Sequence, residues 1–222
     1  MQRTKILDEI SVHFDVPSLM KKVRIQPGSG DEEEFRRLVD AARDLACPKA
    51  LFRVAYVEER SEDAVTIEGI TFTSATLRMN LEDAERVFPF VVTSGRELEK
   101  IRVDASNMLA QYWLDCIKES ALGSAVSHLN RYLERKYALE KTSAMSPGSG
   151  DVNVWPIEQQ KKLFSLLGDV EEKIGVELTD SCLMIPRKSI SGIRFPTEID
   201  FRTCQLCHRE NCPSRSAPFD PE

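Results

Sequence analysis

Long apolar runs are missing from this chain of 222 residues. None approaches the roughly 20 consecutive apolar positions that cross a bilayer, so no membrane span is expected. An excess of basic charge is missing too. Thirty Lys and Arg face 36 Asp and Glu, for a net charge of −6. No predominantly basic surface is on offer to release counterions from phosphates, which argues against nucleic acid as a partner. The opening stretch from Met1 to Asp8 lacks the uninterrupted apolar core of a signal peptide. A cytoplasmic protein with reduced thiols is therefore expected, and disulfides are disfavoured. There is no Gly-rich nucleotide loop, no His-Glu-x-x-His pair and no nucleophile elbow, which speaks against kinase and hydrolase chemistry. Repeats are absent, and no linker is long enough to force a split into domains. Histidine is scarce, with three in all. His13 carries no neighbouring ligand signal, and His128 fits a surface or satisfied core position better than a cofactor contact.

What the chain does have is ample core material, 41% hydrophobic, and an uneven distribution of cysteine. Cys47, Cys116 and Cys182 are scattered and read as small buried hydrophobes. Cys204, Cys207 and Cys212 instead fall together as Cys-x-x-Cys-x-x-x-x-Cys, in a tail that also holds Pro213, Pro218 and Pro221. Such a segment buries little apolar surface, so an agent other than packing is expected to order it. Thiolates at this spacing can converge on an iron–sulfur cluster or a zinc ion. A solvated turn without metal is the plain alternative. His208, Cys182 or an exogenous group could supply a fourth ligand, although His208 adjoins Cys207 and is awkwardly placed. The zinc-knuckle spacing is not met, since Ala217 stands where its last cysteine would fall. Arg209 and Arg215 could offset a cluster's negative charge.

Periodicity predicts a helix from Asp31 to Ala46 ended by Pro48, strands over Ala50 to Val57 and Val65 to Thr73, a short helix within Ser74 to Val87, and a strand over Pro89 to Thr93 closed by Ser94-Gly95. A long helix is expected from about Asp104, its cap, to Leu139, with Met108, Leu109, Tyr112, Trp113, Cys116 and Ile117 opening an apolar stripe. Within it, Ser120 to Ala125 is a run of small residues, read either as close packing on a sheet or as the approach of a large ligand. A breaker-rich loop, Ser146-Pro147-Gly148-Ser149-Gly150-Asp151, follows. Pro156 then opens a helix through Leu167, Asp169 to Ile174 adds a turn closed by Gly175, and Val176 to Pro186 and Ser189 to Phe195 read as strands.

Several of these segments together resemble the activation, or reactivation, domain of cobalamin-dependent methionine synthase. The carriers are Ser146-Pro147-Gly148, Lys162 to Leu167, Ile174-Gly175-Val176-Glu177-Leu178-Thr179-Asp180-Ser181, and Met184-Ile185-Pro186 through Ser189-Ile190-Ser191-Gly192. The match is tight over 146–195 and weak over the N-terminal hundred residues. The resemblance implies an α+β, C-shaped domain over 1–196, with a twisted, mainly antiparallel sheet and flanking helices, and a Cys-rich tail over 197–222. It implies a partner, a cobalamin-binding methionine synthase or another corrinoid protein, whose cobalamin is reductively remethylated with S-adenosylmethionine as methyl donor. Ser146, Pro147, Gly148, Ser149 and Gly150, with Ser189, Ser191 and Gly192, would form the donor site. Cys204, Cys207 and Cys212 would hold an iron–sulfur cluster that delivers electrons, or a structural zinc in a docking module without chemistry of its own. The family carries an arginine before its Pro-Gly pair and a tyrosine after it; this chain has Ala144 and Ser149 there, with Arg187, Arg194 and Arg202 as nearby substitutes for the arginine. The family's downstream tyrosine has no counterpart in Phe201-Arg202-Thr203.

Overall fold

The near-continuous apolar runs of the central strands require two covered faces, and the computed structural model supplies both. It describes residues 4–151, 153–198, 201–209, 211–212 and 215–220; whatever was expected of Met1 to Arg3, Glu210, Pro213 or Pro221 lies outside the described residues. The sheet contains β1 (Lys5–Leu7), β2 (Lys49–Phe52), β3 (Ala55–Arg60), β4 (Ala64–Ile67), β5 (Ile70–Thr73), β6 (Arg86–Thr93), β7 (Thr142–Met145) and β10 (Ser189–Pro196). A separate ribbon joins β8 (Glu177–Leu178) to β9 (Met184–Ile185). Every pairing is antiparallel. Strand β6 is the axis. Along one edge its C-terminal half pairs with β2 and its start with β3; along the other edge it pairs with β10, which carries β7.

Residues of opposite parity on β6 serve different cores, as a two-residue period demands. Phe88, Phe90 and Val92 meet Ala125, Leu129 and Leu133 of α4 (Met108–Tyr137). Val87 and Val91 turn to the opposite face, covered by α3 (Ala75–Asn80), α5 (Gln160–Leu167) and α6 (Val170–Ile174). The N-terminal half of α4 builds a third core, packing Trp113, Cys116 and Ile117 against α1 (Val16–Lys22) and α2 (Gly30–Leu45). The α+β class, with a curled antiparallel sheet and flanking helices, is as the sequence led one to expect.

Several boundaries differ for identifiable reasons. Ala50 to Val57 is not one strand but β2 and β3. Their break at Arg53 faces Pro89, which accepts from Arg53 N at 3.0 Å but has no N–H to return. Val65 to Thr73 is a hairpin turned by Glu68 (φ 48°) and Gly69 (φ 76°), the pairing of positive φ values that a type I′ turn requires. Val176 to Pro186 is the β8–β9 ribbon, and Cys182 (φ 63°) lies buried in its turn, not in a strand. The helix expected from Asp104 starts at Met108. Asn107 caps it by accepting from Ala110 N at 3.0 Å, while Asp104 bonds Ser106. Met108, Leu109 and Tyr112 are consequently exposed, and the buried stripe begins at Ala110 and Trp113. Pro156 opens a 3-10 turn, Ile157–Gln159, before α5 begins. Strands β1 and β7 and helix α1 are too short for their periodicity to register in the sequence. Among the described residues no helix is long and apolar enough to cross a membrane.

Candidate functional site

Strand β7 delivers the chain to the Ser146–Asp151 loop, and local hydrogen bonds set its shape. Ser149 N donates to Ser146 O at 3.1 Å, and Gly148 N donates to Trp155 O at 2.8 Å. Gly148 (φ 72°) and Gly150 (φ 81°) occupy left-handed backbone that side chains disfavour. Trp155, wholly buried and edge-on to Phe72 with ring centroids 5.9 Å apart, ties the far end of the loop to the core.

The glycines were expected to leave room for a ligand, and the structure fills that room with the chain's own atoms. A Cβ at Gly148 would stand 2.9 Å from Ile157 Cβ. One at Gly192 would collide with the Met145 carbonyl and lie 2.8 Å from Ser146 Oγ. Thus β10 and the start of the loop are in direct contact, and Gly192 and Ser146 share one place. At Gly150 a Cβ would meet Thr203 Cγ2 at 3.0 Å and Cys207 Cβ at 3.6 Å.

The other predicted residues are more scattered. Ser189 Oγ donates to Pro186 O at 2.7 Å and lies 2.9 Å from Thr93 Oγ1, fastening the start of β10 to β6. Ser191 is buried, 2% exposed. Pro147 is buried and Ser149 exposed. Of the arginines, Arg187 is exposed. Arg194 stands opposite Ala144 in the ladder, but its guanidinium reaches Thr142 Oγ1 at 2.7 Å, further from the loop. Burial pushes the Arg194 pKa down, with Glu134 pulling the other way. Arg202 donates to Ser216 O at 3.0 Å.

The tail is ordered by an arginine. Arg215 Nη1 donates to Cys204 O (3.0 Å) and Ala217 O (3.1 Å), and Nη2 to Cys207 O (2.8 Å) and Arg209 O (2.7 Å). A guanidinium offers enough donors in a fixed fork to gather several carbonyls at once. Thr203–Leu206 forms a 3-10 turn, Asp220 N donates to Gln205 O at 2.8 Å, and His208 packs against Phe219 with the rings tilted by 43° and their centroids 4.6 Å apart. Cys204 Sγ accepts from both Ser216 Oγ and Ser216 N at 3.4 Å. These bonds, the side-chain one first, hold the Cys204 thiol below its ordinary pKa, and Arg215 adds to the effect. Cys204, Cys207 and Cys212 are free and partly buried. Among the described residues, no group of three or more His, Cys, Asp or Glu side chains is gathered to hold a metal ion. Sequence reasoning missed the fixing residues, Trp155, Ile157, Thr203 and the clasping role of Arg215. Thr203 had drawn notice only in the segment that lacks the family's tyrosine, and Arg215 only as a charge.

Residues 134–211 match the family described as vitamin B12 dependent methionine synthase, activation domain. That span contains β7, the loop, β10 and the first two tail cysteines. Among solved structures, the chain aligns with the reactivation domain of MetH bound to AdoHcy. The TM-score is 0.54 at 16% identity, covering 90% of this chain and 81% of that one. The fold is that of a methionine synthase activation domain. None of the curated proteins matches the chain. The activation-domain likeness thus extends over the N-terminal half, where sequence resemblance had been weak, and the family match itself falls on the segment that carries the loop.

Proposed function

We propose that this chain supports the reductive remethylation of a cobalamin-carrying methionine synthase, or of a related corrinoid methyltransferase, with S-adenosylmethionine as methyl donor. In this reading the domain over 1–196 docks on the corrinoid protein and 197–222 is its appended tail. Ser146 to Gly150 form the rim of the donor groove, and Ser189, Ser191 and Gly192 its supporting strand. The methyl group would pass from the donor's sulfur to the partner's corrinoid, reduced beforehand by an external one-electron donor, and S-adenosylhomocysteine would be released. The observation that carries the reading is the coincidence of the family match, residues 134–211, with the one place where β7, the loop and β10 meet. The neighbour's AdoHcy, the demethylated donor, supports the choice of ligand class.

The chain's own residues contribute backbone groups and hydroxyls in this scheme. Ser146 Oγ, which lies over Gly192, and the exposed Ser149 are the side-chain polar groups that the loop itself offers. An iron–sulfur cluster or zinc at Cys204, Cys207 and Cys212 would require thiols that do not converge in the described arrangement to close on one centre, and the remethylation is not routed through them. A second reading, a docking module without chemistry of its own, is favoured by the occupation of all three glycine approaches by protein atoms.

Titration calorimetry with S-adenosylmethionine, beside co-migration with a cob(II)alamin-loaded methionine synthase, separates the two. Binding of both ligand and partner is expected. Partner binding with no heat from S-adenosylmethionine would leave the docking module. Iron, sulfide and zinc analysis after anaerobic purification, beside a Cys204→Ser/Cys207→Ser variant, tests the metal separately.

A further inference from the structure

Arg36, Arg43 and Arg78 each meet a carboxylate about one turn away, Glu32, Asp40 and Glu82. The last turns of α4 carry the opposite pattern. Arg131 and Arg135 stand four apart on one face with Lys136 beside them, all three exposed, and like charges at that spacing cost a helix stability. Among the described residues none of the three has an ion pair. Arg131 bonds only the Ser127 carbonyl of its own helix, and Glu134, between the arginines in sequence, acts on Arg194. The helix dipole accounts for Arg135 and Lys136 in the last turn, but not for Arg131 a turn earlier.

These cations line a cleft of about 630 Å³ between α4 and the segment after β1, a size typical of small-ligand sites. His128 and Tyr132 continue its wall along α4, and Ser11 supplies a hydroxyl from the other side. Lys5 donates to the Tyr132 hydroxyl, which leaves that group its own hydrogen to donate. Glu9 is the one carboxylate of the lining. Three cations against one carboxylate focus a positive potential in this cleft, although the chain as a whole carries −6. Two guanidinium forks suit an anion with several oxygens. A carboxylate would satisfy one fork and leave the other unpaired, whereas a phosphate offers oxygens to both.

We propose that this cleft binds a small phosphorylated ligand, its phosphate held between Arg131 and Arg135, with Lys136 and the hydroxyls of Tyr132 and Ser11 completing the donor set. It shares no residue with the Ser146–Asp151 loop or with β10, so it stands or falls apart from the donor-site reading.

The test is a calorimetric titration of the full chain with inorganic pyrophosphate at fixed ionic strength. Beside it stand Arg131→Gln/Arg135→Gln and Lys100→Gln, the latter removing an exposed cation outside the cleft. The parent is expected to give a saturable, one-to-one heat. Loss of both forks should weaken binding about a hundredfold or more, while Lys100→Gln leaves it within about twofold, because salt screens distant charge. Pyrophosphate should raise the Tm of the parent and not of the double variant. Without the anion, the double variant should melt no lower than the parent, since its arginines no longer repel each other. Heat that never saturates, or equal weakening in both variants, would reduce the effect to diffuse attraction and overturn the site. So would tighter binding of a poly-glutamate peptide than of pyrophosphate through the same arginines, which would mark a docking face for an acidic protein. A double variant that melts lower without the anion would make the arginines supports of the helix; Arg135→Gln alone then carries the test, with about tenfold weakening expected and unchanged affinity overturning the site.

Discussion

Cys204 differs from its two neighbours in the tail because Ser216 aims both a hydroxyl and a backbone N–H at its sulfur. Donors directed at a sulfur favour the thiolate, and the thiolate is the form that alkylates. Cys204 is therefore expected to react with iodoacetamide faster than Cys207 or Cys212 at neutral pH, read by peptide mass spectrometry. Ser216→Ala should shift its pH–rate profile upward; an unchanged profile would show that the serine does not set the thiol. The sign for stability follows. The folded pKa is depressed, so the contribution is fully present above the ordinary thiol value near 9.0 and is lost as pH falls through the lowered one. At this scale the sequence displayed the cysteines plainly but not what surrounds them. Arg215 gathers backbone carbonyls, which every residue possesses, so no pattern of residue types announces it. Gly148 and Gly150 were readable as places of close approach. That Ile157 and Thr203 are what approaches depends on how the chain folds back on the loop.

The elements with sustained periodicity were legible and the short ones were not. Helix α2 falls within a residue of its expected bounds, because Phe35, Val39 and Ala42 repeat at helical spacing over two turns. The small-residue run in α4 resolves by face. Ala121 and Ala125 are fully buried, whereas Gly123 is exposed and a Cβ there would meet nothing within 4 Å. Close packing explains the alanines, and Gly123 simply weakens the helix. Gly123→Ala should thus stabilise the fold by up to about 1 kcal/mol, raising Tm by roughly 2–4 °C in calorimetry of a domain this size. A lower Tm, or loss of corrinoid-protein binding, would mean that something seats on that exposed face. Strand ends were set by tertiary events the sequence does not display. The clearest is Pro89, which parts β2 from β3 by offering Arg53 a carbonyl and no N–H.

Three cores are found among the described residues; α4 joins two of them, and the sheet joins the second of these to the third. The first half of α4 packs Trp113 among α1 and α2, its second half lies on β6 and β2, and the opposite face of that sheet holds Trp155. A helix broken at neither Gly123 nor any proline links the helical core to the sheet, so opening one exposes apolar surface on the other. Burial shared in this way favours a single cooperative transition. The two tryptophans report on different cores, Trp113 edge-on to Phe35 at 6.0 Å and Trp155 edge-on to Phe72. Urea unfolding followed by fluorescence in Trp113→Phe and Trp155→Phe variants, each against circular dichroism of the same sample, should give coincident transitions within each variant. A Trp113 signal that melts well before the dichroism would show that α1, α2 and the start of α4 open on their own. The exposed Met108, Leu109 and Tyr112 would then sit on a movable helical unit, while the loop and β10 stayed folded.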